Sequence, residues 1–303
     1  MKLLLVGYGN QGKKREKVFK QKIISIVDKY SKKIKYNSIY EVPLSDYDAA
    51  ICSVPDGEKF EIINYLINNN KHVMVEKPFN VKKLKKLDEL NRLCKKNKTC
   101  CYVAYNHRFE PSILRAKKIL NSGILGKIYF VNFFYGNGTS LDVKKSPWKD
   151  KGNGVTFDLG SHLIDLIYFF FNKKFKFKKI NIYKHENKTN DHSYFFSRNT
   201  DIKINCEVNL LTWKNNCKFE IVGKNGSLTI NSLQKWGGSD LILQKRIFPS
   251  GKPIEKKIKF MGKDPTWELE GRYFLDLIKQ KKIGNLQTEI KIIKNLKNIV
   301  KNK

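Results

Sequence analysis

The run LLLVGYGNQG, residues 3–12, constrains this chain more than any other stretch in it. Four apolar residues lead into Gly7, and Gly9 and Gly12 follow at G-x-G-x-x-G spacing. A short buried strand, a tight turn and a helix start satisfy that pattern. The first glycine permits the turn, the second lets backbone approach a pyrophosphate, and the third lets helix pack on strand. The helix N-terminus then stabilises the negative charge. Gly7, Gly9, Asn10, Gln11 and Gly12 are therefore candidate dinucleotide contacts. A second apolar run, KIISIVD, closes on Asp28. A carboxylate there can hydrogen-bond both ribose hydroxyls of NAD and would repel the extra phosphate of NADP. Lys13, Lys14, Arg15 and Lys29 argue the other way, since they could help a phosphate bind. NAD is the expected cofactor, with NADP possible.

Strand and helix signals keep alternating through the first third. YDAAICSVP and KHVMVEKP are strands ending at prolines, and TCCYVAYN is a further strand. Helices fit residues 11–20, 58–69 and the stretch NVKKLKKLDELNRLCKKN, whose Leu84, Leu87, Leu90 and Leu93 share a side. Strands apolar on both faces and separated by helices predict a parallel sheet covered on both sides. Ligands bind at the carboxyl ends of such strands, which singles out Ser53, Pro55, Glu76 and Lys77. Alone, Lys77 reads as a surface lysine before a helix.

After about residue 120 the pattern changes to strands, at 127–135, 178–185, 192–198, 202–211, 217–222, 225–230, 239–246 and 254–260, with turn signals such as RNTD and GKNGS between them. Two helices, 266–281 and 288–301, end the chain. The expected fold is α/β: a Rossmann doubly wound parallel sheet over 1–120, then an α+β domain over 121–303 with an open-faced antiparallel sheet. The closing helices are free to pack back on the first domain.

The formal net charge of +32 raises the question of nucleic acid. The excess is nearly all lysine, spread along the chain, and no recognisable nucleic-acid motif accompanies it, so none is expected as a partner. Such a charge would still attract anionic ligands. The sequence shows no long apolar run and no leader-like N-terminus, so no membrane is expected either. The six cysteines form no C-x-x-C pair and read as reduced thiols of a cytoplasmic protein. No metal site is expected, and His107 and His192 read as structural, His107 at a surface position.

GVTFDLGSHLIDL, residues 154–166, is an apolar helix with an unusual stripe: Asp158, His162 and Asp165 share one side, and Leu159, Leu163, Leu166 and Phe170 the buried one. That stripe is either a solvated face or a carboxylate and imidazole placed for proton transfer.

Together, GYGNQG, Asp28, SVP, VEKP, YNHRFEP and GNGVTFDLGSHLID resemble the glucose–fructose oxidoreductase and inositol dehydrogenase family, Gfo/Idh/MocA, in order and spacing over residues 1–170. The resemblance implies that Lys77 sits beside nicotinamide and substrate. It implies that Asp158 and His162 are the acid and histidine at the cofactor cleft. It also makes Tyr105, Asn106 and Arg108 the joining segment at the site, with Asn106 near cofactor and Tyr105 and Arg108 near substrate. One departure is Lys59, where the family often carries histidine. The chemistry expected is hydride transfer between a secondary hydroxyl of a sugar, inositol or nucleotide sugar and nicotinamide. His162 or Lys77 would be the proton carrier and Asp158 would orient His162. Asp165 is a substrate contact or a polar anchor. Trp148 and Trp267 wall the pocket or pack. Alternatives are an enzyme that returns the hydride to the same sugar and a non-catalytic NAD-binding sensor. A homodimer or homotetramer through the second sheet is expected.

Overall fold

The computed structural model describes residues 1–146, 149–198 and 201–301. In chain order the elements are β1 (Leu3–Val6), α1 (Asn10–Phe19), β2 (Ile23–Val27), β3 (Ala49–Cys52), α2 (Asp56–Asn68), β4 (His72–Glu76), α3 (Lys85–Lys96) and β5 (Cys101–Ala104). Then come α4 (Pro111–Asn121), β6 (Ile128–Gly136), α5 (Ser140–Lys144), α6 (Gly154–Phe171), β7 (Lys178–Tyr183), β8 (His192–Ser197) and β9 (Lys203–Asn209). The chain closes with β10 (Asn216–Gly223), β11 (Gly226–Asn231), β12 (Ser239–Lys245), β13 (Ile254–Phe260), α7 (Thr266–Lys279) and α8 (Leu286–Val300).

Two compact units result: Met1–Asn106 with Thr266–Ile293, and His107–Pro265 with Lys294–Lys303. The division falls at residue 106 rather than near 120. The reason is that α4 packs on β11 and β12 of the second sheet and so follows them. The first unit is a parallel five-stranded sheet in the order β2-β1-β3-β4-β5. One face is filled by Leu3, Leu5, Ala49, Ile51, Met74 and Tyr102, with Phe19 of α1 and Phe274 and Leu277 of α7. α7 therefore supplies part of this core although it comes from the far end of the chain. In α3 the leucine stripe sends Leu87 and Leu90 inward, joined by Cys94.

The second unit is an eight-stranded sheet in the order β13-β12-β11-β10-β6-β9-β8-β7. It is not wholly antiparallel: β6 and β9 run parallel, with Phe130 opposite Lys203 and Gly136 opposite Asn209. A parallel pair needs a long crossover, and the segment carrying α6 between the two strands supplies it. α6 lies on β6, β8 and β9. Its N-terminal amides are satisfied by one residue: Val155 N donates to Asn190 O at 2.8 Å, and Thr156 N to Asn190 Oδ1 at 3.0 Å. Asn172, in left-handed conformation at φ 45°, ends it. Contrary to the reading of the sequence, this 18-residue helix is long and apolar enough to cross a membrane, with a mean hydropathy of 1.2. It is instead a core helix, 78% buried, because both its leucine face and most of its polar stripe are covered by protein. All six cysteines are free and buried.

Candidate functional sites of the two units

In the first unit β1 runs into the glycine turn. Gly7 has φ +89°, and a Cβ there would lie 2.7 Å from Ser53 O. A Cβ on Gly12 would lie 2.0 Å from Gly7 O, so helix and turn touch backbone to backbone. A Cβ on Gly9 would meet nothing within 4 Å. The turn is thus closed on its protein side and open at its tip, where Gly9, Asn10 and Gln11 are exposed. Asp28, at the end of β2, is held by backbone: Tyr8 N donates to Oδ2 at 2.7 Å, and Tyr30 N and Ser31 N donate to Oδ1 at 2.9 Å. These bonds fix the carboxylate at the edge of the turn. Next to the turn, Ser53 Oγ is buried and has no hydrogen-bond partner among the described residues. Pro55 is exposed at the start of α2. An orphaned hydroxyl, an open turn tip and an oriented carboxylate fit a dinucleotide.

The turn that carries Lys77 is pinned on three sides. Arg15 of α1 donates from Nε to Glu76 Oε1 at 2.6 Å and pairs with Glu270 Oε2 at 2.8 Å. It stacks on Trp267, 4.4 Å from the ring centre. Lys59 Nζ donates to Asp56 Oδ1 at 2.6 Å, Glu76 O at 2.8 Å and Pro78 O at 2.9 Å. Phe79 N donates to Glu289 Oε1 at 2.7 Å. Lys77 itself is half-buried between these anchors. Lys59, read from the sequence only as a departure from the family, is therefore a brace for the segment beside it. Arg15 is 1% exposed and committed to two carboxylates, so it cannot serve a cofactor phosphate. Tyr105 is likewise no substrate contact: it is 0% exposed, and its hydroxyl donates to Glu289 Oε2 at 2.8 Å. Asn106 Nδ2 donates to Thr266 Oγ1 at 3.0 Å. Trp267 packs on Arg15.

In the second unit the polar stripe of α6 divides. Asp158 is exposed, His162 is 6% exposed and Asp165 is 1% exposed. Arg108 grips Asp165 with a fork, Nε to Oδ2 at 2.7 Å and Nη2 to Oδ1 at 2.5 Å. Burial raises the Asp165 carboxyl above its usual range, and Arg108 works against that shift. The geometry is that of the anchor, one of the two readings left open for Asp165, and it holds Arg108 as well. His107 is not at the surface: it is 2% exposed and stacks on His162, with ring centres 3.9 Å apart and planes at 18°. Its Nε2 lies 2.6 Å from Lys235 Nζ. Tyr135 of β6 sits against both imidazoles, 5.4 Å from His107 and 6.2 Å from His162. Neither Lys235 nor Glu110, which accepts from Gln234 N at 3.0 Å, was legible in the sequence, because neither shares an element with His162. His192 is structural, hydrogen-bonded to Glu207 at 3.0 Å. Trp148 lies outside the described residues.

Comparison with known proteins agrees with both halves. Residues 1–105 match the model of an oxidoreductase family with an NAD-binding Rossmann fold, and residues 113–229 match the Gfo/Idh/MocA C-terminal domain. The chain belongs to the Gfo/Idh/MocA family. Its first unit is an NAD-binding Rossmann domain. An uncharacterized oxidoreductase of Schizosaccharomyces pombe is 34% identical over 122 residues, 39% of this chain and 32% of that protein. The NADP-dependent scyllo-inositol 2-dehydrogenase of Bacillus subtilis is 27% identical over 186 residues, 54% of this chain and 50% of that protein. The chain thus spans about a third to a half of these curated relatives. Among solved structures, levoglucosan dehydrogenase with NADH and levoglucosan has a TM-score of 0.83 at 16% identity, covering 99% of this chain and 96% of that one. UDP-N-acetylglucosamine 3-dehydrogenase of Acidithiobacillus ferrooxidans has a TM-score of 0.81 at 14% identity, covering 99% and 96%. At these identities the structures share the fold.

Proposed function

We propose that this Gfo/Idh/MocA oxidoreductase is an NAD-dependent dehydrogenase acting in the cytoplasm on a secondary hydroxyl of a sugar, inositol or nucleotide sugar. The observation that carries the reading is the bracing of the turn on which Lys77 sits. Arg15, Lys59 and Glu289 hold the Glu76–Phe79 turn in the unit that carries the dinucleotide cradle. A sensor that only binds NAD has no use for a braced turn carrying a lysine there. The Gly7–Gly12 turn, Ser53 and Asp28 would hold the cofactor, which when bound supplies the hydride acceptor. Lys77 would hydrogen-bond the reacting oxygen and stabilise its developing charge. His162, stripped of most solvent, would take the hydroxyl proton. Asp28 favours NAD, because a carboxylate fixed at that edge repels a phosphate.

The outer face of the second sheet supports self-association. Phe130, Phe134, Tyr194, Phe196 and Val222 share it by register and are half-buried, so a homodimer or homotetramer would cover them. The test of function is nicotinamide absorbance with NAD and a panel of inositols, free sugars and nucleotide sugars, with product analysis of the same tubes. Reduction by a member of the panel supports a dehydrogenase. An altered sugar without net reduction would replace it with hydride return, and unaltered compounds with bound NAD would replace it with a sensor.

A further inference from the structure

His162 does not stand alone in the second unit. Its ring is stacked on His107, and His107 Nε2 is 2.6 Å from Lys235 Nζ. We infer that Lys235, acting through His107, lowers the proton affinity of His162 and so favours the neutral imidazole that can accept a proton. The inference rests on the reading of His162 as a proton carrier.

An ammonium has donors and no acceptor. At this distance the His107 nitrogen must present its lone pair, so His107 is the neutral tautomer with its proton on Nδ1. A second proton on His107 would set two cations at hydrogen-bond distance. A proton on His162 would stack a cation on a ring already polarised by Lys235. With His107 2% and His162 6% exposed, little water screens either repulsion. Burial itself also disfavours the imidazolium.

Other titratable groups surround the pair. Asp158, one turn earlier on α6, is exposed and favours the imidazolium, so it and Lys235 act on His162 in opposite directions. Glu110, at the start of α4, is 0% exposed, and burial pushes its carboxyl up to about 7, so near neutrality its negative charge is partial. Asp264 lies on the side of Glu110 and pushes the same carboxyl upward. Tyr135 of β6 and Cys217 of β10 are both raised by burial and stay neutral. Arg108 and Asp165, one turn further along α6, neutralise each other. Lys235 is thus a cation hydrogen-bonded to the stacked pair. Lys235 and His107 are positioning residues: they act through His162.

Histidine ring NMR on the intact protein tests this without substrate, so its result is independent of turnover. In the wild type, His107 should show a single neutral tautomer protonated on Nδ1. In Lys235→Met the titration of His162 should move up by about one pH unit, and Lys235→Arg should restore it. An Nε2-protonated His107 would overturn the inference even if Lys235→Met does not fold. So would a His162 titration that is the same in wild type and Lys235→Met. If His162 shifts as expected but no sugar is oxidised, the functional reading fails and the electrostatic one stands.

Discussion

Glu270 should make the first unit less stable as pH rises, and Glu270→Gln would show by how much. Its carboxyl is 0% exposed and is pushed from an ordinary 4.5 up to about 7, chiefly by burial, with Arg15 pulling the other way. Between those two values the folded chain binds more protons than the unfolded one. The stability from this group is therefore complete below the unfolded pKa and is lost as pH rises through the folded one. At 1.36 kcal/mol per unit the full displacement is worth about 3 kcal/mol, most of which is lost between about pH 5 and about pH 8.5. Glutamine keeps an oxygen for Arg15 and removes the titration. The assay is urea unfolding followed by fluorescence of Trp267, the sole tryptophan in the sequence of the first unit, with Trp148, Trp213 and Trp236 changed to Phe. Over that range the parent should lose about 2–3 kcal/mol more than Glu270→Gln. Equal pH slopes would refute the argument.

Four further substitutions, one of them a rescue, separate bracing from chemistry. Arg108→Met strands the buried Asp165 carboxylate and should cost about 3–5 kcal/mol in urea unfolding of the second unit, most of it recovered by adding Asp165→Asn. Lys59→Met removes the ammonium from Glu76 O and Pro78 O. It should cost about 2 kcal/mol of stability and lower kcat more than NAD affinity, read by unfolding and by steady-state kinetics. Asp28→Ser should narrow the kcat/KM preference for NAD over NADP about tenfold, and a wild type that already prefers NADP would remove the role given to Asp28.

Local features of the fold were readable because each leaves a local mark. The apolar strand before Gly7, the acid at Asp28 and the leucine stripe on α3 are patterns within a few residues. The eight strands of the second sheet were legible for the same reason, whereas the parallel pairing of β6 with β9 depends on a crossover that no strand's own sequence records. The same limit divides the sites. Gly7–Gly12 and the α6 stripe could be found from spacing. The partners of that stripe come from elsewhere: Arg108 reaches Asp165 across 57 positions, and Lys235 reaches His107 across 128. Arg15, beside the glycine turn, and Tyr105, inside a matching motif, look available in the sequence because neither its burial nor its carboxylate partner leaves a local mark.

The most direct test of the account is turnover set against NAD binding in His162→Ala and Lys77→Ala, measured with a substrate that the wild type oxidises. The account predicts that kcat falls by about a hundredfold or more in each while the Kd for NAD stays close to wild type. Near-wild-type turnover in both variants, with NAD still bound, would contradict it.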